Sequence, residues 1–125
     1  MRKPIIVGNW KMNKTMKETK EFMEAVDAAA ASENATYGIG APYTALSTAV
    51  AGAKNLIVAA ENCHFEDTGA FTGEVSVPML QEIGVTHCII GHSERRTMFG
   101  DTDETVNKKG KRLIEAGINS NLMYW

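Results

Sequence analysis

The chain has 125 residues, of which 44% are hydrophobic and 22% are charged, and its formal net charge is −2. This balance is typical of a globular domain, and charges of both signs are interspersed, so nothing indicates a basic face for nucleic acid or for a membrane surface. No apolar stretch reaches the roughly 18 residues of a transmembrane helix, and no signal-peptide pattern is present, so we expect neither.

Short apolar runs recur along the chain and are rich in β-branched residues. They are too short for ordinary helices, and their apolar residues are consecutive rather than alternating, which favours strands covered on both faces of a parallel sheet. The predicted strands are 4–8, 37–42, 55–63 and 86–92, with a weaker fifth candidate at 118–125.

Helical patterns lie between these runs. Predicted helices cover 16–31, 44–53, 77–83 and 102–116. Thr15 with Glu18 forms a capping box, Ser76 caps the third helix, and Asp101 with Glu104 forms a capping pair for the last. Methionines 12, 16, 23 and 79 are predicted as core filler.

The order of elements is β-α-β-α-β-α-β-α followed by the start of a fifth strand. Such alternation predicts an α/β fold with a parallel sheet and right-handed crossovers, in one domain over 1–125. Two cysteines, Cys63 and Cys88, favour reduced thiols in a cytosolic protein over a disulfide, and the three histidines lack zinc-ligand spacing.

Polar residues with catalytic potential follow the first and fourth strands. In parallel α/β folds ligands bind at the carboxyl ends of strands, so Asn9 and Lys11 should share one sheet edge with His92, Ser93 and Glu94. Each also has an ordinary interpretation: a solvated lysine, a packed histidine, and a helix start at which Ser93 is the cap and Glu94 complements the dipole. The charges of "KKGKR" are interpreted as a solvated face.

Three motifs occur in order after the first, third and fourth strands: "GNWKMN" (8–13), "GAFTGEVS" (69–76) and "IIGHSERR" (89–96). Together they resemble the triosephosphate isomerase family from residue 1 to about 118. The resemblance implies about half of a (β/α)8 barrel, roughly (β/α)4 plus a fifth strand. A phosphate-binding module of flavodoxin type also fits the alternation, but the first strand is followed by no Gly-rich phosphate loop.

The resemblance implies interconversion of dihydroxyacetone phosphate and glyceraldehyde 3-phosphate, a glycolytic step, without metal or organic cofactor. Asn9 and Lys11 match substrate contacts, and Lys11 would supply positive charge near the phosphate and the developing enediolate. His92 matches the electrophile, whose neutral state at a helix N-terminus is a known property of this family. Glu94 matches a supporting carboxylate beside the lysine, and Ser93 supports the same turn. Trp10 is expected to stiffen the corner.

The long loop after the third strand matches the family's dimer loop, which enters a pocket of a partner subunit. Thr72 at its tip would lie near the partner's site, while Glu74 and Arg95 of one subunit would pair and brace the loop. An ordinary surface loop is the alternative, against which Phe65 and Phe71 argue, since exposed aromatics are costly.

The chain departs from the family in length and at its end. A barrel of this type needs about 250 residues, and no residue here matches the later segment that carries the general base. The final "NSNLMYW" (119–125) differs from the family pattern, as a divergent fifth strand, a shifted reading frame or a replaced terminus would. We therefore expect these residues alone to be inactive or nearly so.

A half-barrel also exposes apolar surface and strand edges, which invite association. We therefore expect a homo-oligomer, most simply a dimer, in the cytoplasm, with a phosphorylated triose as ligand and no nucleic-acid or membrane partner. A self-associating structural module without catalysis is the alternative.

Overall fold

The computed structural model describes residues 3–122 of a chain that divides into two compact units, Met1–Glu61 and Asn62–Trp125. Five strands alternate with helices along the chain, and the strands are parallel within each unit. The predicted α/β class is confirmed: the element order is that of four βα units followed by a fifth strand. One domain over 1–125 stays a prediction.

The first unit contains a three-stranded parallel sheet. Its strands are β1 (Ile5–Asn9), β2 (Thr36–Ala41) and β3 (Ile57–Ala60), and its helices are α1 (Met16–Val26) and α2 (Leu46–Gly52). Ile39 lies at the centre, opposite Gly8 of β1 and Val58 of β3. Leu46 of α2 and Met23 of α1 are buried, as are Ile39 and Val58, and α2 packs against both α1 and β3.

The first strand departs from the prediction of strands covered on both faces. Ile5 and Ile6 point to opposite sides of β1, yet each is 53% exposed. Three of the methionines predicted as core are exposed as well, and only Met23 is buried; the exposed ones are Met12, Met16 and Met79. Helical or strand spacing shows which side chains share a face, but it does not show whether anything covers that face.

The second unit contains two parallel strands and three helices. They are α3 (Val77–Glu82), β4 (His87–Ile90), α4 (Ser93–Met98), α5 (Asp103–Ala116) and β5 (Asn119–Leu122). All four residues of β4 are buried, and Leu80 and Leu113 of the flanking helices are buried too. The predicted fifth strand is present from Asn119, and its part over 123–125 lies outside the described residues.

The side chain of Asp27 lies where two predicted boundaries, the end of α1 and the start of β3, differ from the structure. The helix predicted over 16–31 ends as an α-helix at Val26 and continues as a 3-10 turn, Asp27–Ala30. The third strand was expected from residue 55 and begins at Ile57. The backbone N–H groups of residues 54–56 donate to the carboxylate of Asp27 instead of pairing in the sheet.

Of the caps predicted for α1, α3 and α5, the first two are confirmed. Thr15 and Glu18 form the capping box, and hydrogen bonds from Thr15 hold the pKa of Glu18 below its ordinary value. Ser76 caps α3. The predicted Asp101–Glu104 pair is wrong, because Thr102 and Thr105 form the capping box of α5.

The two cysteines are free thiols and both are buried, as predicted for reduced cysteines. Over residues 3–122, no helix combines the length and the apolar character that a bilayer crossing requires.

Candidate functional site

The end of β1 positions Lys11 through a side chain-to-backbone contact. The backbone N–H of Lys11 donates a 2.9 Å hydrogen bond to Oδ1 of Asn9, the last residue of the strand. Lys11 adopts φ +58°, a left-handed conformation that costs a non-glycine residue about 1–2 kcal/mol. Strain of this kind clusters where a side chain must be aimed, so Asn9 and Lys11 form one built feature at the carboxyl end of the strand.

Trp10 stiffens this corner, as the sequence predicts. Its backbone N–H donates to the carbonyl of Gly40, which extends the parallel pairing one residue beyond β1. Its ring packs edge-on against Phe22 of α1, with ring centroids 5.1 Å apart. The Asn13 amide donates to the Trp10 carbonyl at 2.7 Å, so the turn that carries Lys11 is held from both sides.

The end of β4 positions His92 in the second unit. His92 is 8% exposed, and its ring Nδ1 accepts a 3.1 Å hydrogen bond from the backbone N–H of Glu94. A ring nitrogen that accepts carries no proton, so the ring is neutral and its proton lies on Nε2. Oε2 of Glu94 lies 3.8 Å from the same Nδ1, and it therefore faces an uncharged ring rather than forming an ion pair with it.

The cap of α4 differs from the sequence prediction. Ser93 was expected to cap this helix, but Ser93 is its first residue and His92 is the N-cap, with extended backbone at φ −60° and ψ 143°. The structure brings His92, Ser93 and Glu94 together in one turn. A histidine cap is rare, and the "HSER" pattern alone favours the serine, which is why the prediction failed.

The loop between Asn62 and Ser76 is folded on itself. The imidazole of His64 stacks on Phe65 and lies against Phe71, with centroids 4.4 Å apart in both pairs. Nδ1 of His64 lies 3.5 Å from Oε1 of Glu74, and the loop closes through the N–H of His64 on the carbonyl of Val75. Aromatic packing of this kind argues against an ordinary surface loop.

Two predicted loop contacts stay predictions. Thr72 is exposed at the tip, and its approach to a partner subunit is one of them. The other is the pair of Glu74 with Arg95; Nδ1 of His64 lies 3.5 Å from Oε1 of Glu74, and Nε of Arg95 lies 3.9 Å from Oδ2 of Asp101.

A buried ion pair in the second unit was missed. Lys109 of α5 is 4% exposed, and its Nζ donates to Oδ1 and Oδ2 of Asp101 at 2.8 and 3.0 Å and to Oδ1 of Asn62 at 2.9 Å. The interpretation of "KKGKR" as a solvated face is therefore wrong for this lysine. A signal existed, since Lys109 lies three residues after Val106 and four before Leu113, both buried on the same helix face.

Within residues 3–122, no group of three or more histidine, cysteine, aspartate or glutamate side chains is arranged to hold a metal ion. The first unit presents the Asn9 amide and the Lys11 ammonium group at the end of β1, and the second unit presents the imidazole of His92 at the end of β4.

Comparison with known proteins gives the family. A sequence profile described as triosephosphate isomerase matches residues 4–122. Proteins named triosephosphate isomerase from Mycoplasma capricolum and from Acetivibrio thermocellus are each 53% identical, over 115 and 119 residues. The one from Alkaliphilus metalliredigens is 52% identical over 117 residues.

These matches cover 92–94% of the chain but only 46–47% of the three relatives, so the chain spans about half the length of the curated relatives it matches. The residues that carry the sequence resemblance, from "GNWKMN" to "IIGHSERR", all lie inside the matched region. On this evidence the chain belongs to the triosephosphate isomerase family.

Proposed function

We propose that this chain supplies the substrate-polarising part of a triose-phosphate isomerase site. The site would interconvert dihydroxyacetone phosphate and glyceraldehyde 3-phosphate in the cytoplasm without a cofactor. Lys11 would balance the charge of the phosphate and of the enediolate oxygen, Asn9 would contact substrate, and His92 would polarise the carbonyl. The general base would come from residues beyond the matched half, so these residues alone should show background turnover.

One observation carries this proposal: the hydrogen bond from the Glu94 N–H to Nδ1 of His92. It leaves the proton on Nε2, and a neutral imidazole donor is suited to a carbonyl oxygen whose charge rises during proton abstraction. An imidazolium would be a stronger acid and could lose its proton to the enediolate. The fixed tautomer supports the electrophile role assigned to His92 by family resemblance.

The test is isomerisation of glyceraldehyde 3-phosphate by the chain alone and after addition of the complementary second half of the Acetivibrio thermocellus relative. We expect background rates alone and measurable turnover with the added half. His92→Gln and Lys11→Met should each reduce that turnover by about 10²–10³-fold. Lys20→Met, which removes an exposed charge from α1, is the control and should leave the rate unchanged. Turnover by the chain alone, or a complemented rate insensitive to His92→Gln, would contradict the proposal.

A second candidate function, a self-associating structural module, is favoured by the exposed first strand. Ile5 and Ile6 are 53% exposed on opposite sides of β1, and burial of such surface yields about 25 cal/mol per Å². A second copy of the chain would cover it, so we expect a dimer in sedimentation velocity that Ile6→Lys weakens. Met79→Lys changes an equally apolar exposed site on α3 and is the control. A monomer at every concentration would count against this candidate.

A further inference from the structure

α4 is a six-residue helix that holds His92 at its N-cap. A helix this short has little stability of its own, so contacts outside it must fix its direction. At its start, Nε of Arg96 donates a 3.0 Å hydrogen bond to the carbonyl of Gly91. At its end, the backbone N–H of Asp101 donates at 3.0 Å to the carbonyl of Arg95. Asp101 therefore closes the helix on the side opposite His92.

Asp101 is in turn held by α5. Its carboxylate accepts both hydrogen bonds from Lys109 and a 2.9 Å hydrogen bond from Oγ1 of Thr105. The side chains of Lys109 and Asp101 are 5% and 6% exposed, so solvent does not screen the pair. The third contact of Lys109, with Asn62, ties the same ammonium group to the first residue of the second unit.

We infer that Lys109 is a positioning residue for the proposed electrophile: through Asp101 it fixes α4, and through α4 it fixes the ring of His92. The assignment of a catalytic role to His92 rests on the proposed function, whereas the mechanical link does not. Lys109 touches neither His92 nor Glu94 in this chain of contacts. Its effect passes from Asp101 to the Arg95 carbonyl and then along less than one helical turn to His92.

A buried ion pair can stabilise a fold without orienting any particular side chain. The test must therefore measure the state of the His92 ring directly. Two signals do so in the 125-residue chain without substrate. One is the pair of ¹⁵N chemical shifts of the His92 ring, which report the tautomer. The other is hydrogen exchange of the Glu94 amide, which donates to Nδ1.

Lys109→Met alone leaves the buried Asp101 carboxylate with only the more distant Arg95, whose Nε lies 3.9 Å from Oδ2, as a counter-charge, and it could unfold the unit. The informative variant is Lys109→Met with Asp101→Asn, which removes both charges, keeps side-chain volumes close and leaves an amide oxygen for Thr105. The control is Lys111→Met, a charge removed from an exposed position of the same helix.

In the double variant we expect Glu94 amide exchange to accelerate by about tenfold or more while amides of β4 keep their protection. The ¹⁵N shifts of His92 should move toward a mixture of the two tautomers. Lys111→Met should match the parent chain. A folded double variant with parental His92 shifts and parental Glu94 exchange would overturn the inference.

The outcome is independent of the proposed function. If the complemented protein shows no isomerase activity but the double variant releases the His92 ring, then the function fails and the positioning role stands. If activity is present and the ring does not respond, then the function stands and Lys109 only stabilises the fold.

Discussion

Oδ1 of Asp27 accepts a 2.9 Å hydrogen bond from the backbone N–H of Leu56, 29 residues along the chain. The carboxylate is buried, and the N–H groups of Lys54 and Asn55 donate to it as well. Burial raises the pKa of Asp27, but the hydrogen bonds from Leu56, Asn55 and Lys54 together lower it below its ordinary value of 3.8. This carboxylate joins the end of α1 to the start of β3.

Asp27→Asn should destabilise the chain by about 2–3 kcal/mol, because the amide NH2 would face backbone donors and leave them unsatisfied. Urea denaturation followed by circular dichroism measures the loss. The matched control is Glu24→Gln, an exposed carboxylate on α1 that should change stability by less than about 0.5 kcal/mol.

The sign of the acid dependence follows from the lowered pKa. The contribution of Asp27 is fully present above 3.8 and is lost as the pH falls through its lower folded pKa. The variant should therefore lose less stability than the parent chain below that pH. Equal urea midpoints for parent and variant would contradict the role assigned to Asp27.

His87 predicts a second pH dependence. It lies in β4 and is 8% exposed, and burial lowers its pKa below 6.5. Below 6.5 the unfolded chain binds a proton that the folded chain does not, so stability is complete above 6.5 and decreases as the pH falls toward the folded pKa. His87→Phe should remove this part of the slope below pH 6.5. Urea midpoints at a series of pH values on both sides of 6.5 are the measurement, and an unchanged slope would refute it.

Arg112 predicts a local effect on the loop between Asn62 and Ser76. Its Nε donates a 2.6 Å hydrogen bond to Oδ1 of Asp67 and its Nη2 donates a 3.2 Å hydrogen bond to Oδ2, and this hydrogen bonding to Asp67 raises the pKa of Arg112. Arg112→Gln should accelerate hydrogen exchange of the Glu74 and His64 amides by about fivefold, since both close the loop. Global stability should fall by less than about 1 kcal/mol because Asp67 is half-exposed.

Lys111→Gln is the control for the loop experiment. It removes a neighbouring positive charge from α5 without touching Asp67, so loop exchange should stay at the parental rate. If Arg112→Gln and Lys111→Gln behave alike, then the contact with Asp67 does not hold the loop.

The positive φ of Lys14 predicts that glycine at this position would stabilise the chain. Its φ is +82°, which costs a non-glycine residue about 1–2 kcal/mol, and glycine gives back roughly 0.5–1 kcal/mol of that through its unfolded-state entropy. Lys14→Gly should therefore raise stability by up to about 1 kcal/mol. Both variants lose the contact of Nζ, 5.9 Å from the Trp10 ring centroid, but only Lys14→Ala keeps the strained backbone, so it should be less stable than Lys14→Gly. Thermal denaturation of both variants decides this, and the reverse order would contradict it.

The sequence by itself determined the features that depend on neighbours a few residues apart. Glu18 of the capping box lies three residues after Thr15. Each parallel strand is recognisable from its own run of consecutive apolar residues. The motifs that contain Asn9, Lys11 and His92 identify the family for the same reason. The cap of α4 is an exception among these local features. The His92 ring, rather than the Ser93 hydroxyl, accepts the hydrogen bond from the Glu94 N–H, and the order of residue types does not show this.

Only the tertiary structure decided where polar groups are buried and which apolar groups are not. Asp27 accepts a hydrogen bond from the N–H of Leu56, 29 residues away, and β3 begins only after that residue. Lys109 donates a hydrogen bond to Asn62, 47 residues away. Ile5 and Ile6 read as core yet are exposed. The free energy of a side chain depends on what covers it, and that cover comes from residues distant in the chain, which no local pattern specifies.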